Sequence, residues 1–218
     1  MAKGTSGIPP NMEDFMNENF DAVANSPHEW FMQSQKLWFC AKIILEICTS
    51  AKQEMSNQWA KQKKASSEVD ADKEAEQFPR PIAKTEWAMM SENTGLMLLG
   101  MAFECLMKSI LIAQADIPAA KMGVYKPPAG HDLVEMAKLI DDTTNTREIE
   151  LLRVLTECVL WRGRYPTAKR VSVISSFYSF TETEGSFLWY GADKDHDDDK
   201  VISALYHRLA QRALQAWR

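Results

Sequence analysis

The chain has no G-x-S-x-G, no phosphate-cradling glycine loop and no H-E-x-x-H, so the commonest hydrolase, nucleotide and zinc-protease signatures are missing. Cysteine is scarce: Cys40, Cys48, Cys105 and Cys158 all lie in apolar helical patterns, and none forms the short-spaced pair that zinc sites use. They read as reduced core residues. Positive charge is not in excess either, with 25 Lys and Arg against 30 Asp and Glu and a net charge of -5. That balance argues against broad attraction to nucleic acid, so any polyanion needs a focused basic site. The N-terminus "MAKGTSGIPP" carries one lysine and no apolar h-region, so no secretory leader is expected. The most apolar run, "GLMLLGMAFECLMKSILIA", is interrupted by Glu104 and Lys108. A soluble, cytoplasmic protein with no membrane partner is the expectation.

What is present suits a packed bundle. A hydrophobic content of 45% over 218 residues is enough to bury a core. "SPHEW" at 26–30 offers Ser26 as N-cap, Pro27 at the first helical position and Glu29 for a capping box. Trp30, Leu37, Trp38, Ala41, Ile44, Leu45, Cys48, Met55 and Trp59 then recur at three- and four-residue steps, which predicts one long helix to about residue 62. Trp30, Trp38 and Trp59 share a face, which suits core packing and a partner or dimerisation surface equally. Met12 to Ala24 reads as a short accessory helix. Residues 63–82 read as a solvated linker or surface loop closed by Pro79 and Pro81.

A second long helix, about 84–114, is apolar on several faces and belongs in the middle of a bundle. After the proline-broken segment 115–130 come a helix from Asp132 to about 141, one from Asn145 to about Trp161, and a last one from about Asp198 to Trp217. Residues 171–192, rich in β-branched and aromatic side chains, suggest a small β-hairpin, with helix or irregular structure as alternatives. The fold class expected is mainly α: residues 1–25 as an extension and 26–218 as a single helical-bundle domain.

Five places could carry chemistry. "WRGRYPTAKR" at 161–170 sets Arg162, Arg164, Lys169 and Arg170 beside Tyr165. Arginine forks hold phosphate and tyrosine stacks on bases, although cations after a helix also simply complement its dipole. "DKDHDDDK" at 193–200 lacks the glycine and distal glutamate of a calcium loop, so it reads as an acidic cap on the last helix and no metal is expected. His28 reads as a first-turn residue and His207 as a surface or packing residue. In "AGHDLVEMAKLID", Asp132 and Glu135 are spaced for reciprocal capping, and Gly130 allows a sharp turn. His131 remains, either as a structural residue fixing that turn or as a ligand or general base.

Taken in order, "GMAFECLMKSILIA", "GHDL" and "LLRVLTECVLWRGRYP" resemble the HEPN superfamily, helical domains named for higher eukaryotes and prokaryotes nucleotide binding, over about residues 83–217. The resemblance implies an up-and-down bundle, frequent homodimers, and a nucleotide, RNA or protein partner, in toxin–antitoxin or antiviral systems. Many members are metal-independent ribonucleases with an arginine and a histidine separated by four to six residues. Here no arginine stands five to seven positions upstream of His28, His131, His196 or His207. Two readings follow. One is a non-catalytic module, without a cofactor, whose Arg162, Arg164, Tyr165, Lys169 and Arg170 face phosphate. The other is a ribonuclease of altered site, with His131 as general base and Arg164 stabilising the phosphorane.

Overall fold

A computed structural model describes residues 10–66, 83–115, 119–121, 124–126, 130–140, 144–162 and 198–217. Among these, six helices and a single two-stranded ribbon make the chain mainly α, as expected. In order they are α1 (Pro10–Ala24), α2 (Pro27–Ser66), α3 (Ala83–Gln114), β1 (Ala120–Lys121), β2 (Val124–Tyr125), α4 (Leu133–Leu139), α5 (Thr146–Glu157) and α6 (Asp198–Ala216). The last turn of α5 passes directly into a π-helical turn, Cys158–Arg162. The hairpin expected at 171–192 lies outside the described residues. The ribbon that is described stands at 120–125, where the prolines had suggested only a break in the helical pattern.

The helix starts follow their capping chemistry. Ser26 Oγ accepts from the Glu29 amide at 3.3 Å. Asp132 Oδ1 accepts from the amides of Val134 and Glu135 at 3.0 and 3.1 Å. The reciprocal bond expected from Glu135 is not formed: its carboxylate takes Lys138 Nζ at 2.6 Å instead. Gly130 is likewise not required by its turn, since a Cβ there would meet nothing within 4 Å and its φ is not left-handed.

The α5 start has both halves of the box. Asn145 Oδ1 accepts from the Glu148 amide, and Glu148 Oε2 from the Asn145 amide, each at 2.9 Å. The same carboxylate receives the Arg208 fork from α6 at 2.8 and 3.1 Å. Burial alone would raise the Glu148 carboxyl, but the bonds from Arg208 and the Asn145 amide outweigh it and hold it below the ordinary 4.5. A depressed carboxyl adds stability above its unfolded pKa and loses it as pH falls through the folded value. Arg208→Ala should therefore cost about 1 kcal/mol at neutral pH. Its deficit should shrink in acid below pH 4.5, as both proteins lose the Glu148 charge; circular dichroism melts across pH check this.

Helix α3 is the axis of the bundle. Every residue from Ala102 to Ile110 is buried, because α2 and α6 cover one side and α4, α5 and the π turn the other. Helix α2 runs antiparallel to α3, with Lys52 paired to Glu92 near one end and Ser34 Oγ donating to the Ala102 carbonyl at 2.8 Å near the other. The α2 stripe expected to be buried faces inward: Trp38 stacks on Tyr206 with centroids 4.0 Å apart, and Ala41, Leu45 and Cys48 are buried. Cys105 and Cys158 are buried too, but Cys40 is exposed on the opposite face, so only three of the cysteines are core residues. By length and composition Ser91–Gln114 could cross a membrane, with 72% of its most apolar window buried in the bundle.

The first two residues of α6 pair with other helices, while the rest of the acidic run, 193–197, lies outside the described residues. Asp198 accepts the Arg147 fork and Asp199 pairs with Lys42. Among the described residues no three His, Cys, Asp or Glu side chains are grouped to hold a metal.

Candidate functional site

A polar cluster interrupts the apolar surroundings of α3. Glu104 and Lys108 stand four residues apart on one helix face, and Lys108 Nζ donates to Glu104 Oε1 at 2.6 Å. Both side chains are almost wholly enclosed, at 10% and 4% exposure. Two charges withdrawn from water this far are tolerated only as a pair with further polar contacts.

The further contact on the carboxylate is His131. Its Nδ1 lies 3.0 Å from both Glu104 oxygens. An ionised carboxylate only accepts, so Nδ1 carries the proton and donates, leaving Nε2 as the other ring atom for a ligand or proton. The imidazole is 54% exposed against a buried partner. That combination, a buried carboxylate anchoring one nitrogen of a half-exposed ring, is the arrangement a carboxylate-oriented histidine needs to act as a base or phosphate donor. It also ties the segment before α4 to α3, a contact across 27 residues and not the local one at the Gly130 turn read from the sequence.

The lysine side of the cluster is walled by aromatics. Lys108 Nζ lies 5.4 Å from the Trp30 ring centroid and 5.9 Å from that of Tyr125. The two rings stack with centroids 5.6 Å apart and planes 24° from parallel. Trp30 is steered by its Nε1, which donates to the Ala24 carbonyl at 3.0 Å. Tyr125 is brought in by the ribbon, held to α1 by Asn25, whose side-chain amide donates to the Ala120 carbonyl and accepts from its amide at 2.7 and 2.8 Å. The Tyr125 hydroxyl is buried with no hydrogen-bond partner among the described residues, and burial together with the Glu104 charge pushes it up to about 12. Burial and the same carboxylate push the Cys105 thiol up to about 12 as well, which removes it as a nucleophile at neutral pH.

Thr156 on α5 ties the site to the following helix. Its Oγ1 accepts from the Leu133 amide at 3.1 Å and donates to the Leu152 carbonyl at 2.8 Å. His131 is thus held against α3, two residues before an amide that α5 holds. Arg162 follows Thr156 by six residues, at the end of the π turn.

Of the residues singled out from the sequence, His131 is placed with its partners. Arg162 closes the π turn, and nothing is described of its side chain. Arg164, Tyr165, Lys169 and Arg170 lie outside the described residues, as does His196. His28 and His207 are exposed, His28 edge-on to Trp217 and His207 edge-on to Trp38 and Tyr206. Trp30 and Tyr125 were not legible as members of this cluster. Their only sequence signal is indirect: an acid and a base four residues apart inside an apolar helix require partners from elsewhere in the chain. Compared with known proteins, the chain matches no family model, no curated protein and no solved structure.

Proposed function

We propose that this chain is a divergent HEPN-like helical module that binds RNA, or a nucleotide, through phosphate, and works in the cytoplasm. The observation that carries the reading is the Glu104–His131 pair, a buried carboxylate fixing one nitrogen of a half-exposed imidazole. Nε2 is then a pre-oriented phosphate donor when the ring is protonated. Arg162, Arg164, Lys169 and Arg170 supply the cations for neighbouring phosphates and Tyr165 a stacking face. The bond from Thr156 to the Leu133 amide supports this grouping, because it sets the start of α4 beside the helix from which the basic stretch continues.

The same pair favours a second reading, an endoribonuclease in which neutral Nε2 takes the proton of a ribose 2′-hydroxyl and Arg164 stabilises the phosphorane. End-labelled single-stranded RNA, incubated with and without magnesium and scored for retention and for cleavage, separates the two. The module reading expects retention without cleavage, about tenfold weaker in His131→Ala, the size of one charge-assisted hydrogen bond. It also expects a steep loss of affinity with salt, and a slope shallower by about 0.7 in Arg164→Ala. Cleavage abolished in His131→Ala establishes the second reading, and neither retention nor cleavage removes both.

A further inference from the structure

Helix α2 has two apolar faces, and among the described residues only one is packed into the bundle. Ala41, Leu45 and Cys48 are buried against α3, while Phe39, Ile43 and Ile47 on the other side are 67%, 43% and 57% exposed. These three are four residues apart, so they form a continuous ridge. Isolated exposed apolar residues need no explanation, but a ridge along a 40-residue helix does.

The charges around the ridge indicate what covers it. Exposed Lys36 stands one turn before Phe39, and exposed Glu46 and Glu54 stand toward the other end. We propose that this face of α2 packs against the same face of a second copy of the chain, the two helices antiparallel about a two-fold axis at Ile43. The inference rests on the α2 surface alone and is independent of the ligand read at His131.

In that register residue n stands level with residue 86 − n of the partner. Ile43 then meets the partner's Ile43, and Phe39 meets the partner's Ile47, so each apolar side chain on the ridge finds an apolar counterpart. Lys36 falls level with the partner's Ser50, one helical turn from both the partner's Glu46 and the partner's Glu54, within reach of a lysine stem. A parallel pairing would instead set Lys36 on the partner's Lys36 and Glu46 on the partner's Glu46. Like charges in register oppose association, so the pattern is self-complementary in one direction only.

The register is testable by cross-linking. Helices packed 8–10 Å apart bring two cysteines on the axis within disulfide range, about 4–6 Å between Cα atoms. Residues four positions from the axis are offset by about 12 Å along it and cannot be bridged. The full chain carrying Ile43→Cys and Cys40→Ser should therefore oxidise to a species of twice 24.8 kDa on a non-reducing gel, and the chain carrying Phe39→Cys and Cys40→Ser should not. Sedimentation at micromolar concentration should give a dimer for the unaltered chain and a monomer for Lys36→Glu. The dimer should return when Lys36→Glu is combined with Glu46→Lys and Glu54→Lys. All these positions are exposed, and unchanged circular dichroism confirms the variants are folded. A monomeric unaltered chain, a dimer indifferent to Lys36→Glu, or cross-linking through Phe39→Cys in preference to Ile43→Cys would each overturn the proposal.

Discussion

Glu104→Ala is expected to destabilise the protein by about 3–5 kcal/mol, because it leaves the Lys108 ammonium enclosed and without its counter-charge. Lys108 is only 3% exposed, and the groups around it after that change are the faces of Trp30 and Tyr125, which offset a small part of the desolvation. For a chain of 218 residues the melting temperature should fall by about 10 °C. The converse change is milder. Lys108→Met leaves Glu104 still accepting from His131, whose half-exposed ring supplies a proton from the solvent side. The double replacement, Glu104→Ala with Lys108→Met, removes both buried charges and should recover the part of the loss due to the unpaired ammonium, leaving the cost of the cavity that alanine opens in place of the Glu104 side chain. Denaturant unfolding of the three variants and the parent gives the coupling directly. Equal, small losses in both single variants would show that the pair is already solvated and would remove the cluster as a constraint on His131.

The same cluster shows where the sequence was readable and where it was not. The long helices announce themselves through period and caps: Ser26 and Pro27 start α2, and the all-round apolar character of α3 forces it to the centre. The Asn145–Glu148 box is local, three residues apart, and it forms as its spacing dictates. Contacts that cross the chain have no such signature. His131 meets Glu104 across 27 residues, and Asn25 meets Ala120 across 95. The ribbon that delivers Tyr125 has two residues per strand, too few to show a period of two. Cys40 illustrates the limit within a single helix. It neighbours the buried Ala41 in sequence, but a step of one residue turns the helix by about 100°, enough to move a side chain from the core to the solvent. Periodicity gives α2 its inward stripe, but with apolar residues on both sides only the packing of α3 distinguishes the covered face from the outward ridge.

Two glycines on α3 should respond unequally to the same methyl group. At Gly100 an added Cβ would stand 2.6 Å from Val159 Cγ2 and 2.8 Å from the Leu155 carbonyl oxygen. Val159 is buried, and the oxygen belongs to the backbone of α5, so neither can move without shifting the helix. At Gly95 the nearest atoms are Leu45 Cδ2 at 2.9 Å, Leu45 Cγ at 3.0 Å and Ile44 Cγ2 at 3.1 Å, all side-chain atoms. Each substitution also gains up to about 1 kcal/mol from replacing glycine inside a helix. Overpacking costs about 1–3 kcal/mol where the surroundings resist. Gly95→Ala should therefore be close to neutral, whereas Gly100→Ala should lose about 2 kcal/mol, a fall of about 4–8 °C in melting temperature. The second loss has a consequence for the site. Leu155 is the residue before Thr156, which holds the Leu133 amide, so pushing the α5 backbone outward loosens the segment carrying His131. Thermal melts read the stability, and amide exchange at Leu133 reads the coupling. Faster exchange at Leu133 in Gly100→Ala but not in Gly95→Ala is the expected result; equal protection in both would mean that α3 and α5 adjust independently of the α4 start.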